Sequence, residues 1–171
     1  MVTYLAGNRI RGTNTERIVS YGTKSIDGSY TVLQFIENGT FTPTSSFNVE
    51  YLVVAGGSGG GGSQETVAAS GGGAGGFRTA TGFGVTAQAY TVTVGTGGAG
   101  GYLRVSGSDG ADSVFSSITS TGGGGGGAMG ADAKNGGSGG GSRWYGAIGT
   151  GNTPSTDPSQ GNDGGLASST G

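Results

Sequence analysis

The chain contains no cysteine and no histidine. The first absence excludes disulfides and thiolate metal sites. The second removes the commonest general base and the commonest metal ligand. Charged residues make up only 11% of the chain and the formal net charge is −2. The eight Lys and Arg residues are spread thinly, so no basic run offers an electrostatic footprint for nucleic acid or anionic lipid. The longest apolar run, Tyr51 to Ala55, is far short of a membrane span. The opening residues Met1-Val2-Thr3-Tyr4-Leu5-Ala6 lack the charged-then-apolar order of a secretion signal. These absences lead to the expectation of a soluble protein made in a cytoplasm, without a nucleic-acid partner or membrane insertion.

What is abundant is glycine, at 44 of 171 residues. Glycine loses more backbone freedom on ordering than any other residue, so a glycine-rich segment orders only if its backbone groups find partners. Composition alone suggests a flexible linker. Position argues otherwise. Only Gly7, Gly12, Gly22, Gly28 and Gly39 precede residue 55, and the remaining glycines follow it. After that boundary, strand-like stretches run directly into glycine runs. Phe47–Ala55 leads into Gly56–Gly62, Ala89–Val94 into Gly95–Gly101, and Asp112–Thr121, read as one strand, into Gly122–Gly127. Further strand chemistry follows two of the runs, at Gly76-Phe77-Arg78-Thr79 and at Tyr102-Leu103-Arg104-Val105. A linker joins finished elements; runs interleaved with strands belong to the fold or loop out of it.

Polyproline II geometry offers a physical solution. Its rise of about 3.1 Å per residue is close to that of a strand, so a strand can continue into it without changing direction. With no Cβ on any side, neighbouring glycine helices can approach closely and bond laterally, which satisfies groups otherwise left to water. Collagen fits poorly, because there are three prolines and no strict Gly-X-Y period. No window holds an i, i+3, i+4 apolar stripe, and glycine inside an α-helix costs roughly 1 kcal/mol. The expected class is all-β: β-sandwich-like strands running into polyglycine II-like segments, with little or no helix.

Three regions are expected. Residues 1–28 read as an N-terminal docking arm, with Tyr4, Leu5, Arg9, Ile10 and Arg11 as its contact residues. Residues 29–121 read as a strand domain with interleaved glycine runs. Tyr30–Ile36 is β-branched and aromatic, Asn38-Gly39 is hairpin chemistry, and Val53-Val54-Ala55 suggests burial on both faces. Residues 122–171 read as a glycine-rich C-terminal part in which Gly136–Ser142 is a further glycine-helix candidate and Asn152–Ser159 is loop chemistry.

Catalytic motifs are weak. Gly-x-Gly-x-x-Gly matches recur by chance at this composition and lack the following helix and acidic residue of a dinucleotide site. No Gly-Lys-Ser/Thr forms a phosphate loop. Asp109 and Asp112 are the closest acidic pair. Their spacing permits paired-carboxylate chemistry or half a calcium loop, but it equally suits side chains that bond backbone amides in a turn. The expectation is a protein that is not an enzyme and has neither metal nor cofactor. One dense cluster stands out, Arg143-Trp144-Tyr145, with the only Trp. It suits stacking on a sugar or anchoring in a partner's pocket. The other reading is that Trp144 caps a small hydrophobic cluster in a core-poor protein.

The segments Val49-Glu50-Tyr51-Leu52-Val53-Val54-Ala55-Gly56-Gly57, Gly76–Gly82, Tyr90–Gly95, Asp112–Phe115 and Gly151–Asn162, with the arm Tyr4–Thr13, together resemble the glycine-rich domain of bacteriophage tail-fibre and other virion structural proteins. The resemblance covers most of the chain. It implies stacked polyglycine II layers, loops that contact host surface glycans or proteins, homo-oligomers such as trimers, other virion proteins as partners, and a place in the virion. A capsid decoration, a self-assembling fibril or coat protein, and a sugar-binding module are the alternatives.

Overall fold

The structure, a computed structural model, describes residues 8–13, 18–20, 23–63, 69–144 and 146–167. Among these the chain is all-β, with ten strands and no helix. It divides into two compact units. Unit 1 comprises Met1–Val54, Arg78–Val94 and Ser113–Thr119; unit 2 comprises Ala55–Phe77, Gly95–Asp112 and Ser120–Gly171.

Unit 1 is a sandwich of two five-stranded sheets. Its strands are β1 (Asn8–Thr13), β2 (Ile18–Ser20), β3 (Thr23–Asp27), β4 (Tyr30–Phe35), β5 (Gly39–Pro43), β6 (Phe47–Val54), β7 (Phe77–Val85), β8 (Tyr90–Thr93), β9 (Ser113–Phe115) and β10 (Ile118–Ser120). One sheet runs β3-β4-β1-β6-β7 and the other β10-β9-β8-β5-β2. The core between them gathers Leu33, Phe35, Val49 and Val53 from the first sheet and Phe41, Val92, Phe115 and Ile118 from the second. Phe115, fully buried, is the aromatic hub. Its ring centroid lies 5.5 Å from Phe83, 6.1 Å from Phe41 and Tyr90, and 6.4 Å from Tyr51, within the range of favourable ring pairs.

Several local expectations are corrected. Within the segment read as an arm, Asn8–Thr13 is woven into the sandwich: β1 pairs with β4 (Ile10↔Leu33) and with β6 (Ile10↔Tyr51), both antiparallel. It has a neighbour on each edge, β4 along its whole length and β6 at Arg9–Arg11, which composition could not reveal. Tyr4 and Leu5 lie outside the described residues. Asn38-Gly39 is not a hairpin, because β4 and β5 belong to different sheets. The turn is an arch between layers, and the Asn38 carboxamide oxygen accepts a bond from the Val94 amide (2.8 Å). The hairpin signal lies instead at Asp27-Gly28. Gly28 has φ +61° and the register pairs Asp27 with Tyr30, as a two-residue turn with glycine first requires. Asp112–Thr121 is two short strands rather than one, separated by a turn at Ser116 with φ +55°.

Unit 2 has almost no side-chain core. Its segments bond to one another at every third residue. The amides of Ala55, Ser58 and Gly61 donate to the carbonyls of Gly76, Gly73 and Ser70, while those of Gly56, Gly59 and Gly62 donate to Ala111, Ser108 and Val105. A three-residue period on two faces is the signature of polyglycine II-type helices, not of a β-ladder. The 122–127 segment is buried throughout. Its amides go to three directions in rotation: Gly123 and Gly126 to Gly56 and Gly59, Gly124 and Gly127 to Ser138 and Gly141, and Gly122 and Gly125 to side chains described below. Its carbonyls accept in the three intervening directions, from Gly73, from Lys134 and Gly137, and from Gly107 and Gly110. Donor and acceptor directions therefore alternate around the helix, and each backbone group is used. Close approach is possible only without a Cβ; one on Gly124 would overlap the backbone at Lys134 and Asn135. The expected C-terminal region is thus one part of a bundle that draws on three stretches of chain, because lateral bonding between glycine helices is indifferent to sequence separation.

Candidate functional site: the tips of the glycine bundle

The acidic pair has a structural task. Asp112 Oδ1 accepts from the Gly122 amide (2.8 Å), Asp109 Oδ1 from the Gly125 amide (2.9 Å), and Ser106 Oγ from the Ala128 amide (3.1 Å). Three side chains at three-residue spacing stand in for the carbonyls of an absent neighbouring helix along one face of the 122–127 segment. Asp132 and Asn135 repeat the device toward the amides of Ala147 and Thr150. Asp109 also lies 3.6 Å from the Lys134 ammonium. No group of His, Cys, Asp or Glu among the described residues could hold a metal ion.

The bundle turns at one end through short tips that converge. The first is Tyr102–Val105, expected to be strand. Instead the Val105 amide bonds back to the Tyr102 carbonyl (3.1 Å) and Leu103 adopts φ +54°. That closes a tight turn between the antiparallel 95–101 and 105–111 segments. The pairing of those segments outweighs local β propensity, which sequence cannot weigh. Ala128–Ala131 forms a second turn, and a third tip is marked by the Gly146 amide bonding back to the Arg143 carbonyl (3.1 Å). The tips are tied together: Gly62 donates to Val105, Ala128 to Ser106, and Ser142 to Gly165.

Arg143 and Trp144 separate here. Arg143 is only 4% exposed, so it is not a surface contact. Its Nη1 reaches the Gly62 carbonyl (3.4 Å), and Nη2 has no partner among the described residues. It acts as a pin between tips. Trp144 is 46% exposed. Tyr145 lies outside the described residues. The same end of the bundle also carries Tyr102 (77% exposed), Leu103, Val105, Met129 and Leu166. Scattered single apolar residues are ordinary on a protein surface; here several of them share one end of the bundle. Sequence reasoning missed Tyr102 to Val105. The available signal was four residues of largely apolar character set between glycine runs that need a turn.

A family model described as a glycine-rich domain matches residues 36–171. The chain belongs to that family. The match starts in the arch after β4 and takes in all of the glycine bundle. No curated protein and no solved structure matches the chain.

Proposed function

We propose that this glycine-rich domain protein is a non-catalytic virion structural protein, a phage tail-fibre or adhesin subunit whose bundle tips contact a host surface glycan or protein. The observation that supports this reading is the convergence of Tyr102, Leu103, Val105, Met129, Trp144 and Leu166, all exposed, at one end of a bundle stiffened by lateral backbone bonds. A contact surface needs side chains held in fixed positions at little entropic cost, and aromatic anchors on short turns meet that need. The rest of the bundle has little but backbone to offer a ligand. In this reading the N-terminal strands belong to the folded body, and attachment to other virion proteins and assembly into homo-oligomers fall to unit 1.

The test is adsorption. Labelled protein should bind cells of a susceptible bacterium, and Tyr102→Ala with Trp144→Ala should lower that binding at least tenfold while the melting temperature is unchanged. Immunogold labelling should place the protein on particle appendages. Undiminished binding by the double variant would reject the tip, and labelling confined to long homopolymers would reject the appendage.

A further inference from the structure

The lattice around the 138–142 segment is incomplete in a specific way. Five helices surround it. Ser138 and Gly141 donate to Ala74 and Gly71, and their carbonyls accept from Gly124 and Gly127. Gly140 donates to Lys134 and accepts from Gly149; Gly139 donates to Asn162, and the Ser142 amide to Gly165. The surrounding segments also bond to each other in order: 69–76 to 122–127, 122–127 to 134–137, 133–136 to 147–150, and 149 to 164. The sixth side, between 69–74 and 163–167, is a groove of about 510 Å³ floored by Ser138, Gly139, Gly141 and Ser142. Its size falls within the roughly 300–1,000 Å³ typical of ligand sites.

Around 138–142 the bond directions alternate, donor then acceptor, as they do around 122–127. The direction left for the groove is an acceptor, namely the carbonyls of Gly139 and Ser142, which have no partner among the described residues. The same alternation assigns to the groove the amides of Gly71 and Ala74 on one wall and of Gly165 on the other, none of which has a partner among the described residues. The floor is open to close approach, since Gly141 carries no side chain and a Cβ there would point between the Gly71 and Gly165 carbonyls, at 3.4 and 3.5 Å.

We infer that this groove binds an extended, glycine-rich segment of a partner polypeptide as a sixth polyglycine II helix. The incoming chain donates an amide at every third residue to Gly139 and Ser142 and accepts from the two walls. It is the glycine-helix counterpart of adding a strand to a sheet edge. Six residues at about 3.1 Å each match the 69–74 wall. A single such helix buries far less than the ~1,200–2,000 Å² of a stable interface between folded proteins. That area suits a peptide bonded along its length rather than a second folded copy. The groove adjoins the tips and shares Leu166 with them, but it offers backbone carbonyls and amides rather than the aromatic side chains of Tyr102 and Trp144, so its failure would leave the adsorption reading untouched.

The probe is a capped heptapeptide with the sequence of residues 95–101, titrated into ¹⁵N-labelled full-length protein. The amides of Gly71, Ala74 and Gly165 should shift and gain exchange protection, while a peptide with Val at every third position should do neither. Gly71→Val with Gly165→Val should weaken binding at least tenfold. Both glycines face open space with no positive φ, so the variant should melt with the wild type. No shift at millimolar peptide would overturn the inference. So would equal binding by the variant, if it melts normally. Concentration-dependent shifts of these same amides without peptide, with a dimer in sedimentation, would replace it with self-association. Should the variant melt early, the wild-type exchange protection and the Val-peptide comparison decide.

Discussion

Unit 1 and unit 2 bury chain by opposite means. In unit 1 the buried groups are side chains, with Phe35, Phe41, Phe115, Leu33 and four valines among the largest fully buried. The backbone ladders set their register. In unit 2 the buried groups are backbone: Gly122 to Gly127 are all inaccessible yet expose nothing apolar to drive burial. Ordering each glycine costs about 1–2 kcal/mol of chain entropy, while a hydrogen bond returns roughly 0.5–1.5 kcal/mol net. A glycine bundle can therefore hold only if nearly every residue both donates and accepts. The comparison teaches that a hydrophobic core tolerates an imperfect neighbour, whereas a glycine bundle depends on completeness.

The sharpest way to break this contrast is Gly124→Val. Its Cβ would overlap the backbone at Lys134 and Asn135, and backbone cannot move aside as a side chain can. Hydrogen exchange should show protection lost across residues 122–141, with a penalty above about 4 kcal/mol, the range reserved for severe lesions. A surviving cooperative bundle would show that the segments are not packed helices.

Phe115→Ala attacks the other unit. Removing the hub ring should cost about 3–5 kcal/mol by denaturant titration, with the first exchange losses in β5, β8 and β9. If unit 2 amides were deprotected first, the division of labour drawn above would be wrong.

Next comes Asp112→Ala, which strands the Gly122 amide. An unsatisfied buried donor costs about 1–3 kcal/mol. Asp112→Asn retains an acceptor oxygen and should recover most of the loss. Equal losses in the two variants would mean that charge, not the amide bond, is what Asp112 supplies.

The smallest effect is expected at Gly100→Ala, where a Cβ meets nothing within 4 Å. A change within about 1 kcal/mol, toward greater stability because the unfolded chain loses freedom, would confirm that glycine is required by packing position rather than by composition. A large loss there would extend close packing to the outer layer.

Parts of this architecture were legible from residues alone. The all-β class followed from the β-branched and aromatic runs at Tyr30–Phe35 and Tyr90–Thr93 and from the absence of helical periodicity. That the glycine runs belong to the fold followed from their recurrence after strands. That Asp109 and Asp112 bond backbone amides was legible as one of three readings, but the local turn was not borne out: their partners Gly125 and Gly122 lie sixteen and ten residues away. The place of Asn8–Thr13 was not legible, because a strand that pairs with β4 and β6 owes its position to partners outside its own segment. The tip at Tyr102–Val105 was misjudged because its residues favour a strand, and only the pairing of the flanking helices forces a turn.

Sequence by itself determined that burial here would have to be done largely by backbone: too few large apolar residues follow residue 55 to do otherwise, and glycine permits approach from every side. It also fixed the absence of cysteine and histidine chemistry. Tertiary structure alone decided which glycine helix neighbours which, since lateral bonds repeat every third residue and identical segments carry no address. It likewise decided that Arg143 is buried while Trp144 is exposed, and that the lattice around residues 138–142 has five helices and a groove. Neighbour choice in such a lattice comes from strand connections and turn lengths, which act only once the whole chain has folded.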